Sequence, residues 1–133
     1  MLQPKVYIKE LNIVREVEMI DFYNKQVSVY DVGIGFRGGA AIFSFDKVEL
    51  MENTGLKDKN GKYIYEGDIV TVNGTWDCII QYKQSSCAFV LKSIDSRWNS
   101  RWSMGYLSNY DDDDIAETLE VIGNIYENKE LVE

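Results

Sequence analysis

Residues 97–114 hold the side chains best suited to recognition or chemistry. Trp98, Trp102, Tyr106 and Tyr110 recur every four residues, with Arg97 and Arg101 beside the first two. Aromatic faces interleaved with guanidinium groups can stack nucleobases and hold phosphates, and the same residue types anchor protein interfaces. On a helix this spacing would make one stripe, although Gly105 opposes a continuous helix. The commoner use of large aromatics is core packing. Asp111, Asp112, Asp113 and Asp114 follow directly. A hard cation needs oxygens converging at about 2.0–2.6 Å, whereas adjacent side chains on an extended segment point apart. Two of the four could hold Mg²⁺ or Ca²⁺ only with helpers the sequence does not identify. The plainer reading is a solvated acidic run favouring the positive N-terminus of a following helix, so no metal and no cofactor is expected.

The chain has no histidine, which removes the commonest general base at neutral pH, the usual triads and most transition-metal sites. Carboxylate, lysine, tyrosine or cysteine chemistry is still open, but no Gly-x-Ser-x-Gly elbow, P-loop or dinucleotide fingerprint is present. Gly33-x-Gly35 with Gly38-Gly39 lacks the Lys-Ser or Lys-Thr of a phosphate loop and reads as a bend. Asp58-Lys59-Asn60-Gly61 resembles part of a calcium loop. Aligning Gly61 with that loop's glycine puts Leu56 at the first ligand position and Gly67 at the twelfth, where a bidentate Glu is required. The expectation is a non-enzymatic protein.

With 45% hydrophobic and 13% aromatic residues, the 133-residue chain can bury a core. No apolar run is long enough for a membrane span. The opening MLQPKVYIKELNIVRE does not read as a signal peptide, so the expected location is the cytoplasm. Net charge is −8, and its distribution says more. Of 22 acidic and 14 basic residues, nine acidic ones and only Lys129 fall in residues 111–133, leaving 13 of each before them. A balanced body with a strongly acidic end repels phosphate backbones and attracts basic surfaces. Cys78 and Cys87 are expected to be reduced and buried, since no histidine or second cysteine pair completes a zinc site.

The pattern of short apolar runs and turn residues predicts a mainly β, or α+β, fold. Strands are expected at Val6–Leu11, Ile13–Ile20, Val27–Val32, Ala41–Phe45 and Lys47–Met51, with a turn at Asn24-Lys25. A helical period also fits Leu11–Phe22. Beyond Asn60-Gly61, a strong hairpin signal, strands are expected at Lys62–Tyr65, Ile69–Val72, Trp76–Tyr82, Cys87–Leu91 and Glu120–Tyr126. A turn near Gln84-Ser85 would set Cys87 opposite Tyr82 and Cys78 opposite Leu91. A short helix is expected at Asp112–Leu119 and a frayed tail at Asn128–Glu133. The Gly67-Asp68 step into an apolar strand, then a turn and two more strands, looks like the opening of an SH3-like barrel. Residues 1–53 thus read as an N-terminal antiparallel β-rich lobe. Residues 54–133 read as an SH3-like barrel lobe with one or two short helices, the two forming either separate lobes or one compact domain.

One stretch carries a family resemblance. Thr54-Gly55-Leu56-Lys57-Asp58, Asn60-Gly61-Lys62 and Ile64-Tyr65-Glu66-Gly67-Asp68-Ile69-Val70 resemble the central motif of the YopX family. Glu120-Val121-Ile122-Gly123-Asn124-Ile125-Tyr126-Glu127 resembles its terminal strand motif. The Arg-x-Trp-Asp type opening frequent in the family is absent. The resemblance implies an origin in bacteriophages or prophages of Gram-positive bacteria and no established biochemical activity. The motif glycines fit positions of unusual backbone angle, and Asp58 and Asp68 can accept backbone N–H groups in turns.

Two functions compete. The acidic end and aromatic anchors favour a protein-interaction module with a host or phage partner. A nucleic-acid-binding module using the barrel and residues 97–110 is the alternative, weakened by the missing basic footprint. Exposed strand edges also invite homo-oligomers.

Overall fold

The computed structural model describes residues 3–30, 40–74, 76–94, 103–106 and 118–132. Its fold is mainly β and antiparallel, and it divides into two compact units, Met1–Glu52 and Asn53–Glu133.

In the first unit, β1 (Lys5–Ile8), β2 (Ile13–Asp21), β3 (Gln26–Tyr30), β4 (Ala40–Ser44) and β5 (Val48–Met51) form one five-stranded sheet in the order β4-β3-β2-β1-β5. The helical alternative for Leu11–Phe22 gives way to β2. Leu11 falls in the β1–β2 turn, where Asn12 takes φ 55° and its Oδ1 accepts the Tyr7 hydroxyl at 2.6 Å. Val6, Ile8, Val17, Val27, Val29, Ala41 and Val48 make the core. Ile8 and each of the valines contribute roughly 1.5–3 kcal/mol on burial. A bulge between Val17 and Met19 shifts the β2–β3 register. Beyond it, Ile20, Val27 and Phe43 stand opposite one another across three strands.

The second unit holds a hairpin, β6 (Asn53–Lys57) and β7 (Tyr63–Tyr65), and a five-stranded barrel-like sheet. That sheet contains β8 (Asp68–Val72), β9 (Trp76–Lys83), β10 (Ala88–Ser93), β11 (Ser103–Tyr106) and β12 (Leu119–Asn124) in the order β11-β10-β9-β8-β12. It is not closed among the described residues. Ile64, Val70, Val72, Cys78, Ile80, Leu91 and Leu119 form its core.

Three expectations need correction. The β9–β10 register sets Phe89 opposite Tyr82 and Ser93 opposite Cys78, two residues away from the expected pairing. A 3₁₀ turn at Gln84–Ser86 takes up the difference and leaves Cys87 outside the strand at φ 50°. Cys87 is therefore exposed, while Cys78 is buried; neither is in a disulfide. The tail is not frayed over Asn128–Val132: it makes a 3₁₀ turn at Lys129–Leu131, and Asn128 is half-buried. Of the helix expected at Asp112–Leu119, only Thr118 and Leu119 are described, and Leu119 begins β12.

Burial pushes the Cys78 thiol up to about 11, and the nearby Asp77 charge adds to the shift. The native chain should therefore expose one thiol, Cys87, to a disulfide reagent, with the second reacting only after unfolding. Two fast thiols in the folded protein would contradict the buried position of Cys78.

Candidate interaction surfaces

The motif residues converge on a clasp that ties the β6–β7 hairpin to β12. Asp58 is 2% exposed. Its Oδ1 accepts the backbone N–H groups of Asn60 and Lys62, both at 2.9 Å. Its Oδ2 accepts that of Val121, also at 2.9 Å. Gly61 N–H donates to the Asp58 carbonyl at 3.0 Å, and Lys59 N–H to the Leu119 carbonyl at 2.9 Å. Gly61 takes φ 78° while Asn60 keeps negative φ, so only one of the two turn residues needs the left-handed region. The carboxylate that resembled a calcium ligand is thus engaged by three backbone donors. Outside the clasp, the exposed Lys59–Glu120 pair at 3.1 Å adds little.

The remaining motif residues are structural in the same sense. Thr54 Oγ1 donates to the Ile64 carbonyl at 2.7 Å and accepts Leu56 N–H at 3.2 Å. Gly55 has φ 85° and donates its N–H to Asn53 Oδ1 at 2.8 Å. Buried Asp68 accepts Tyr65 N–H at 2.8 Å across the Glu66-Gly67 bend. Gly67 has φ 89°; its N–H reaches the Ile80 carbonyl, and its own carbonyl accepts Ile125 N–H. Asn124 Oδ1 accepts Tyr126 and Glu127 N–H at 3.0 and 2.8 Å, turning the chain after β12.

The segment expected to bind partners falls mostly outside the described residues: Arg97, Trp98, Arg101, Trp102, Tyr110 and Asp111–Asp114, together with the glycine bend at 33–39. Tyr106 ends β11, opposite Val90. Ser103–Tyr106 is a strand, so a helical stripe does not run through it. Among the described residues no group of three or more His, Cys, Asp or Glu is arranged to hold a metal. No helix there is long and apolar enough to cross a membrane.

A different surface stands out in the first unit. Phe22 is 76% and Tyr23 94% exposed at the β2–β3 turn. The Asp21 carboxylate holds that turn, accepting Asn24 N–H at 3.0 Å and Asn24 Nδ2–H at 2.7 Å. These bonds, the backbone one first, lower the Asp21 pKa. The turn's bonds are therefore fully present above the ordinary carboxylate range and are lost as pH falls through the lowered value. Phe22 meets Phe45 edge to face, with centroids 6.1 Å apart. Both rim a groove of about 380 Å³. Val6, Val27 and Val48 form its buried floor, Ile20 and Leu50 its walls, and Glu52 its one charged lining residue. Val6 pairs with Leu50 across β1–β5, while Ile20 pairs with Val27 across β2–β3. The groove is thus a seam between β5 and the β2–β3 hairpin, with Val6 of the intervening β1 at its base. The sequence signal was Phe22-Tyr23 beside the Asn24-Lys25 turn, where aromatics cannot enter a core.

Comparisons with known proteins agree with this fold. Protein EF1440 from Enterococcus faecalis superimposes with a TM-score of 0.61 at 23% identity, covering 98% of this chain and 97% of that one. Protein yopX from Bacillus subtilis gives a TM-score of 0.55 at 17% identity, covering 98% of both chains. No curated protein matches the chain. The model of the YopX protein family matches residues 5–133, so the chain belongs to the YopX family.

Proposed function

We propose that this chain is a phage- or prophage-encoded accessory protein, acting in the cytoplasm of a bacterial host as a non-enzymatic protein-interaction module. One observation carries the reading: Phe22 and Tyr23 are displayed on a pinned turn at the mouth of an apolar groove. Contiguous exposed apolar surface marks interaction sites, and large aromatics are the residues that anchor protein interfaces. The phage origin rests on what the family resemblance implies. The acidic end, 111–133, supports a partner with a basic surface, because opposite charge steers encounter. Net charge of −8 weighs against the nucleic-acid alternative through residues 97–110.

The test is affinity capture from host lysate with and without nuclease, run side by side with wild type and Phe22→Ala. The expected result is a protein retained specifically by wild type and weakened roughly tenfold or more in the variant. The variant's stability should stay within about 1 kcal/mol, since Phe22 is mostly exposed. Retention that vanishes with nuclease would move the reading to nucleic acid. Equal retention by both proteins would remove the turn from the interface.

A further inference from the structure

Resting on the interaction reading, we infer that the seam groove of the first unit is a socket for an apolar side chain with a lysine or arginine next to it. The occupant is thus a basic segment of a protein partner. Three features set this choice. The floor is deep in the core, with Val6 0%, Val27 3% and Val48 9% exposed. Only an apolar group can displace water there without leaving polar atoms unpaired. At about 380 Å³ the groove lies in the range of binding pockets. It has room for one or two side chains rather than a folded surface.

Charge then selects what flanks that side chain. Glu52 is the one charged group lining the groove. Among the described residues no cation pairs with it, the ion pairs there being Lys9–Glu49 and Lys59–Glu120. A carboxylate at the edge of an apolar slot attracts a cation that approaches beside the buried group and repels an acidic neighbour. The first unit's own surplus, eight acidic against six basic residues, acts in the same direction at longer range. The Phe22–Phe45 edge-to-face pair also offers a ring face at the mouth on which an Arg or Lys can rest.

The experiment is a methyl-resolved NMR titration of the full chain with two blocked dipeptide amides, N-acetyl-Leu-Lys and N-acetyl-Leu-Glu, at millimolar concentration. Saturable shifts of the Val27, Val48 and Leu50 methyls with the Leu-Lys peptide and not the Leu-Glu one are expected. Glu52→Gln should weaken the Leu-Lys peptide at least roughly threefold and abolish the preference between the two. No groove shift, or equal binding of both peptides, would overturn the assignment. So would groove shifts that appear on concentrating the protein alone, because a second copy would then fill the seam. If the peptides fail but Phe22-dependent capture from lysate persists, the interaction reading stands and only the socket assignment falls. If both fail, both are wrong.

Discussion

Replacing Asp58 by alanine is expected to destabilise the second unit by roughly 3–5 kcal/mol, the largest effect of any single polar substitution in the clasp. The carboxylate is 2% exposed and accepts three backbone N–H bonds, two from its own turn and one from β12. Hydrogen bonds to a charged acceptor are each worth about 1.5–3 kcal/mol, and their loss strands donors that water reaches poorly. Thermal unfolding followed on the second unit should fall by roughly 12–40 °C. Asp58→Asn separates charge from geometry. Its remaining oxygen can still serve Asn60 and Lys62, but its amide would face the Val121 N–H, donor against donor. About half the alanine effect is expected. A loss below about 1 kcal/mol for Asp58→Ala would mean that the clasp does not hold β12 to the hairpin.

Gly123→Ala is the second large effect, at roughly 1–3 kcal/mol. A Cβ at position 123 would lie 2.5 Å from Asn128 Oδ1 and 2.8 Å from its Cγ. That oxygen is not free to swing away, because it accepts Asn124 N–H at 3.1 Å. Asn128 N–H in turn donates to the Asn124 carbonyl at 3.0 Å. Relieving the clash therefore breaks the bond that shapes the end of the chain. Asn128→Ala alone should cost about 1 kcal/mol through that hydrogen bond. Combining the two should cost less than their sum by about 1 kcal/mol, since the clash disappears with its partner. Strict additivity in urea unfolding would contradict the contact.

How far these features were legible differs along the chain. Most strands followed from period-two alternation and from turn residues, and β5, β8 and β12 begin within a residue or so of the expected positions, but β6 and β11 were not expected. Registers were not legible. The β9–β10 pairing moved by two residues because the turn is a 3₁₀ segment ending in a left-handed Cys87, a position that side-chain type does not advertise. The motif residues were identified as turn formers, yet Asp58 reaching Val121, 63 positions away, is a long-range bond invisible to local pattern. The same holds for the groove. Val6, Ile20, Val27, Val48 and Leu50 read as ordinary strand residues, and only the pairing of β5 and β2 on either side of β1 brings them to one seam. Exposed Phe22 and Tyr23 have a local sign, being placed at a turn, but the aromatic run at 98–110 is the richer pattern in the sequence.

On the proposed reading the motif builds the clasp while recognition sits on the first unit. Hydrogen exchange of the full chain, measured with and without the partner captured from lysate, separates the two surfaces. Added protection is expected at Asp21–Gln26 and along β5, with the Asp58–Lys62 turn unchanged. Protection confined to Thr54–Asp68, with the β2–β3 turn exchanging as before, would contradict that reading.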